Sequence, residues 1–282
     1  MNLQWYPGHM TSAMRTMRED VKLVDLIIEL LDARVPRSSR NPDLSSLGAG
    51  KGRLILLNKA DLADEECNRR WIAHFKEEGT EVLAINAKTG QGMEQIRSAV
   101  REACREKIER DRRRGIKNRP LRAMVAGIPN VGKSSFINSF GKKAAAKTGN
   151  KPGVTRGRQW IRIRNELELL DTPGVLWPKF EDPQVGLHLA LIGSINDEIL
   201  PTEELGTELL ALLKKGWPGR ISARYETEEE QDTAALLTAI GKRLGCLKPG
   251  GEIDTLRAAR LILDDLRSAR LGRISLELPE KE

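Results

Sequence analysis

The 282-residue chain is 39% apolar and 31% charged, which suits about two folded domains and excludes disordered, collagen-like and fibrous classes. Its best apolar run, Leu23 to Leu31, is broken by Asp25 and Glu29, and no basic-then-apolar segment opens the chain. Neither a membrane span nor a secretory signal is expected. Cys67, Cys104 and Cys246 form no Cys-x-x-Cys pair, so a cytoplasmic protein without disulfides or a zinc ribbon is predicted. The net charge is +7, split as +13 over residues 1–179 and −6 over 180–282, which directs the first part at a polyanion such as nucleic acid.

Apolar runs bounded by turn residues predict strands near Val24–Leu31, Leu54–Leu57, Val82–Ile85, Ala123–Ala126, Trp160–Ile163 and Leu167–Leu170. Helical patterns lie between several of them, around Glu65–Lys76, Met93–Arg113 and Lys133–Phe140. This alternation predicts an α/β fold, a mostly parallel sheet covered on both faces, with ligands beyond the carboxyl ends of the strands. The pattern then changes, and a domain boundary is expected at 178/179. Thr202 is placed as the cap of a helix through Leu205, Leu209, Leu210 and Leu213. A second helix is expected near Thr233–Leu244, and a third carries Leu256, Ala259, Leu263 and Leu266 on one face. A strand is placed at Ile274–Leu278. Residues 179–282 are thus expected to form a small helical domain.

Gly127-Ile-Pro-Asn-Val-Gly132-Lys133-Ser134 follows a predicted strand and opens a predicted helix, the context a phosphate loop requires. Its glycines let backbone N–H groups face phosphate oxygens, and the helix N-terminus adds a favourable dipole. Lys133 is expected on the β- and γ-phosphates and Ser134 on Mg²⁺. Asn130, Val131, Gly132 and Ser135 complete the predicted loop contacts.

Asn58-Lys59-Ala60-Asp61 ends another strand. A carboxylate at Asp61 can accept from N1–H and N2–H₂ of guanine; adenine lacks that donor pair and would leave the charge unpaired. Asn86-Ala87-Lys88 ends the next strand and can offer a backbone N–H to guanine O6. Asp171-Thr-Pro-Gly174 closes the strand before it with an Asp able to reach Mg²⁺ through water and a Gly174 N–H able to sense a γ-phosphate. Thr155, in Lys151-Pro-Gly-Val-Thr155-Arg156, offers a further Mg²⁺ hydroxyl.

These are the five elements of a GTPase in rotated order, with the base-reading elements ahead of the phosphate loop. Sites built from loops at one sheet edge tolerate such a cut, and residues 91–120 supply the connection. The ordered set resembles the circularly permuted GTPases. Trp5-Tyr-Pro-Gly-His9-Met10, Asp32-Ala-Arg-Val-Pro-Arg-Ser-Ser-Arg-Asn-Pro42 and the helical region after Gly174 bring it closest to the bacterial ribosome biogenesis GTPase A family. Tyr6 stands where Phe is frequent in that family, and Asn86 where Ser is.

The resemblance implies GTP hydrolysis to GDP on a large ribosomal subunit precursor, with rRNA contact and without DNA or membrane. It implies K⁺ at Asn130 and a water-positioning role for His9. Val175 occupies the position where many GTPases carry a catalytic Gln, so slow hydrolysis is expected until the particle completes the site. His74 and His188 adjoin no motif and are expected to be structural or surface residues. Two basic stretches, 97–122 with 11 basic and 4 acidic residues and 140–164 with eight basic and none acidic, are candidate RNA contacts. Rival readings are a phosphate-loop kinase or ATPase, a non-catalytic GTP-dependent RNA-binding module, and a GTPase acting on the small subunit or another RNA.

Overall fold

A computed structural model describes residues 8–116, 119–144, 160–177, 180–196, 201–229 and 232–279, with the side chains of 8–13, 45 and 142–144 outside that description. Strand β1 (Leu26–Asp32) is buried at every residue, as a strand covered on both faces must be. β2 (Gly52–Asn58) and β4 (Leu121–Gly127) pair with it in parallel on either side. β3 (Glu81–Ala84) extends the sheet beyond β2. β6 (Leu167–Asp171) and the antiparallel edge strand β5 (Trp160–Ile163) extend it beyond β4. The order is β3-β2-β1-β4-β6-β5. The chain leaves the β1/β4 pair in opposite directions, and crevices form at such a switch point.

The two faces are read from alternation. Ile55 and Leu57 pack with Trp71 and Phe75 of α3 (Glu65–Glu77), whereas Leu54 and Leu56 join the larger core with Ile96, Ala99 and Val100 of α4 (Ile96–Ala103). α6 (Lys133–Ala144) covers β4 to β6 with the stacked Phe136 and Phe140. α1 (Gly8–Asp20) adds Met14 and Met17 to the larger core. Glu29 is a buried carboxylate inside β1. Burial pushes it up, against the pull of Arg53 at 3.0 Å, and it accepts from the Asn41 N–H ahead of α2 (Pro42–Leu47).

The helix expected over Met93–Arg113 is divided. A 3-10 turn (Met93–Gln95) leads into α4, and the chain breaks at Cys104 before α5 (Arg105–Arg113). The apolar stripe ends there, and α5 has no buried residue.

Beyond the sheet lie α7 (Pro183–Leu191), α8 (Thr202–Gly216), α9 (Arg220–Tyr225), α10 (Thr233–Arg243) and α11 (Thr255–Arg267). Thr202 is not the cap of α8 but its first residue; Pro201 holds the cap position. α8 and α11 approach closely at Gly206, where a Cβ would stand 2.7 Å from that of Ala259. Asp265, buried in α11, accepts from Arg224 Nε (2.8 Å), Tyr225 Oη (3.1 Å) and Arg270 Nη1 (3.1 Å).

The segment Ile274–Leu278 is not a strand. It is an extended tail that returns to the sheet-bearing part through scattered bonds. Ile274 N–H donates to Leu62 O and Leu276 N–H to Arg34 O. The indoles of Trp217 and Trp71 donate to Ser275 O and Glu277 O. With loops rather than a strand as partners, no ladder can form.

Candidate nucleotide site

The carboxyl ends of β1, β2, β4 and β6 bring Asp32, Asn58, Gly127 and Asp171 to one edge of the sheet. The phosphate loop turns from β4 into α6 there. Gly132 has φ +101°, and a Cβ on it would lie 2.4 Å from Asn58 Nδ2, so only glycine fits. Val131 is buried, while Ser134 and Ser135 open the helix exposed to solvent.

Asn58 joins three loops. Its Nδ2 donates to Val131 O at 2.7 Å and its Oδ1 accepts from Ala87 N–H at 2.9 Å. The elements at 58–61 and 86–88, which precede the phosphate loop in sequence, are thereby fastened to it. Asn86 shapes the neighbouring turn by accepting from Lys88 N–H and Thr89 N–H through Oδ1. The N–H groups of Ala87 and Lys88 are therefore engaged within the protein, and a base oxygen arriving at this turn would share one of them.

Lys59, at φ +59°, donates from Nζ to Asn130 O and to Asp32 Oδ2, both at 2.9 Å. Asp32 also receives Arg34 Nε (2.8 Å) and Nη2 (2.7 Å) in a two-pronged pair. Burial pushes the Asp32 carboxyl up, but the Arg34 guanidinium and the Lys59 ammonium more than offset it and hold the group far below the usual carboxylate range. Arg34 is itself buried and feels the charge of Asp61 behind Asp32. Asp61 is half-buried, its backbone oxygen held by Arg273 Nε at 3.0 Å. Of this group only Lys59 was assigned to the site from sequence; Asp32 and Arg34 were not, although Asp-Ala-Arg stands at a strand end where ligands gather.

On the phosphate side, Lys133 Nζ donates to Gly127 O (3.0 Å) and Ile128 O (2.9 Å). Burial pushes its amine down to about 8, with Asp171 pulling the other way. Asp171 is half-buried and pushed up by that burial, against the pull of Lys133. Gly174 lies directly on the loop, where a Cβ would come 2.8 Å from Lys133 Nζ and 2.9 Å from Pro129. Thr172, given no role by the motif, ties this segment to β4 by donating to Val125 O at 2.7 Å. Val175 is buried and turned into the core. Asn130, at φ +58°, donates from Nδ2 to Gly193 O, just beyond α7, at 2.8 Å.

Thr155 lies outside the described residues. His9 is the second residue of α1, its side chain outside the description. His188 is structural as expected, lying 2.8 Å from Glu277 Oε1 and 3.2 Å from Ser38 Oγ through Nδ1.

Among the described residues no cluster of three or more His, Cys, Asp or Glu could hold a metal by itself. The donor set here, one exposed hydroxyl at Ser134 and one carboxylate at Asp171, suits a hard divalent cation that takes its other ligands from water and phosphates, as Mg²⁺ does.

A family model described as 50S ribosome-binding GTPase matches residues 122–215. Ribosome biogenesis GTPase A of Bacillus cereus is 48% identical over 282 residues, covering 100% of this chain and 95% of that one. Two solved structures are similar over nearly the whole chain. GDP-bound YlqF matches at 25% identity and TM-score 0.71, covering 95% of this chain and all of that one. GNP-bound YlqF from T. maritima matches at 26% and 0.70, covering 96% and all.

Proposed function

The chain belongs to the ribosome biogenesis GTPase A family of circularly permuted GTPases, and from that membership we propose that it assists late assembly of the large ribosomal subunit. It is a GTP hydrolase. The observation that carries the proposal is the pair of hydrogen bonds that Asn58 makes, donating to Val131 O and accepting from Ala87 N–H, which supports one guanine-nucleotide pocket made of motifs in permuted order.

In this reading Asp61 selects guanine, while Asn58, Lys59 and the Asn86-Ala87-Lys88 turn seat the base. Lys133, with the N–H groups of 130–135, holds the β- and γ-phosphates. Ser134, Thr155 and, through water, Asp171 hold Mg²⁺, which when bound neutralises charge on the phosphate oxygens. Gly174 N–H bonds the γ-phosphate, and His9 orients the water that attacks it in line. Asn130 would hold K⁺, which would supply positive charge to the phosphates. Val175, buried in the core, cannot orient that water, so turnover by the isolated protein is slow. Residues 1–178 carry the nucleotide chemistry, and 179–282 form a helical RNA-contacting domain. No helix among the described residues is long and apolar enough to cross a membrane, in keeping with action on ribosomal particles in the cytoplasm.

The test is steady-state GTP hydrolysis in K⁺ and in Na⁺, alone and with purified large or small subunits. Stimulation by large subunits only, greater in K⁺, is expected, and His9→Ala should remove it. Stimulation by small subunits instead would move the assignment to that particle, and none by either would remove the ribosomal reading.

A further inference from the structure

Residues 91–120, which join the two halves of the permuted order, do more than connect. A helix in a folded protein draws most of its stability from an apolar face packed on its neighbours. α5 has no buried residue, yet six of the ten residues 105–114 are Lys or Arg. With α4 and the β5–β6 turn it encloses a cleft of about 900 Å³ with an aliphatic floor. Five arginines line this cleft, Arg97, Arg101, Arg112, Arg119 and Arg162, against two carboxylates, Asp111 and Glu166.

Both carboxylates are already answered, Glu166 by Arg101 at 3.2 Å and Asp111 by Lys107. Arg119 pairs with Asp25 at 3.1 Å. Arg97, Arg112 and Arg162 have no carboxylate partner among the described residues. Three guanidinium groups without a paired carboxylate of their own therefore line one concavity in which arginines outnumber carboxylates five to two, an excess of positive charge that a polyanion relieves. The cleft sits at the amino ends of β4 and β6, beside Leu121 and Leu167. The nucleotide site lies at the opposite, carboxyl ends of the same strands, so both can be filled at once.

We propose that this cleft takes the sugar–phosphate backbone of structured RNA, a contact within the particle proposed above and resting on that reading. A phosphate chain offers evenly spaced anions to several arginines together, in the forked geometry guanidinium favours. With Asn165 the only amide side chain lining the cleft among the described residues, the contact positions the protein rather than reading bases.

The experiment compares wild type with the triple variant R97Q/R112Q/R162Q. All three side chains are exposed or half-exposed and away from the nucleotide edge, so binding of fluorescent GDP should be unchanged and reports folding. Affinity is measured for purified large subunits and for protein-free large-subunit rRNA, from low to moderate KCl. The variant is expected to bind both at least tenfold more weakly near ~100 mM salt. Its log–log salt slope should be shallower by about 2 to 3, since each phosphate contact contributes about 0.9 on a duplex. Equal affinity and slope in both proteins would overturn the proposal. Weakened binding to the particle with unchanged binding to bare rRNA would also overturn it, by placing an acidic ribosomal protein in the cleft. If wild type bound neither partner, the assembly reading itself would fall, and the cleft's role with it.

Discussion

Two charged side chains at the nucleotide edge are settled by opposite physics. Asp32 loses its water but gains two cations at bonding distance and stays ionised. Removing one partner of such a buried set costs about 3–5 kcal/mol, because the remaining charges are left uncompensated. Lys133 loses its water and gains only two carbonyls and a more distant carboxylate, and its amine falls to about 8. Nucleotide phosphates would restore the charged form. Binding then takes up a proton at any pH above the free-state value and below the bound one. Guanine nucleotide affinity should be flat below about pH 7 and weaken by up to tenfold per pH unit above about 8. Lys133→Gln should bind weakly at every pH, without that slope. Titration with fluorescent GDP across this window gives the profile, and a flat wild-type curve would show that Lys133 does not titrate on binding.

At the scale of elements, the C-terminal tail supports the loop after β2, Asn58 to Asp64, from behind. Ile274 and Arg273 hold the backbone oxygens of Leu62 and Asp61, and Ser275 Oγ accepts from Asp64 N–H at 3.1 Å. Glu277 anchors the far end. Its buried carboxylate accepts from Arg37 N–H (2.8 Å), Ser38 N–H (3.1 Å), the Ser38 hydroxyl and His188. Glu277→Ala strands several of these donors at about 1–3 kcal/mol for each buried group left unpaired. A loss of roughly 3 kcal/mol corresponds to a melting temperature lower by about 6–12 °C. Thermal melting with and without GDP should show this fall together with weaker GDP binding. An unchanged melt would mean that the tail only rests on the surface. None of this was legible in the sequence, because the tail's partners lie 58 to more than 200 residues away and leave no periodic trace. The phosphate loop and Asn58–Asp61 were legible because their chemistry lies in consecutive residues. The strands were found but cut short at polar ends such as Asn58 and Asp171, which still pair in register. Two short helices carried readable starts that were passed over. Asn41 caps α2 before Pro42, and Asp182 caps α7 before Pro183, but at 6 and 9 residues they hold too little periodicity to stand out. The Asp32–Arg34–Lys59 group depends on β1 pairing with β2 so that Asp32 faces Asn58, a long-range register that local pattern does not reveal.

Across the whole molecule, the permuted order gives the phosphate loop a direct hold on the helical part. The segment after Gly174 runs into α7 through the buried Val175 and Leu176. At the other end of α7, Gly193 O takes the Asn130 amide, while Arg267 of α11 holds Ala190 O and Leu191 O at 2.9 and 3.0 Å. In the proposed function, a γ-phosphate that drew Lys133 from its carbonyls and engaged Gly174 would act on both ends of this path. Amides of residues 188–194 should therefore exchange with solvent at different rates in the states saturated with GDP and with a non-hydrolysable GTP analogue. A single hydrogen bond near 1 kcal/mol corresponds to about a fivefold change in local opening. Asn130→Gly is the informative variant. Glycine keeps the φ of +58° without strain and removes the side chain that carries the carboxamide. The difference between nucleotide states should collapse in that variant, with α8 and α10 exchanging as before. If wild-type exchange in 188–194 is the same in both states, the helical part does not sense the nucleotide by this route. If the variant keeps the full difference, the signal travels through Val175 and Leu176 and not through Asn130.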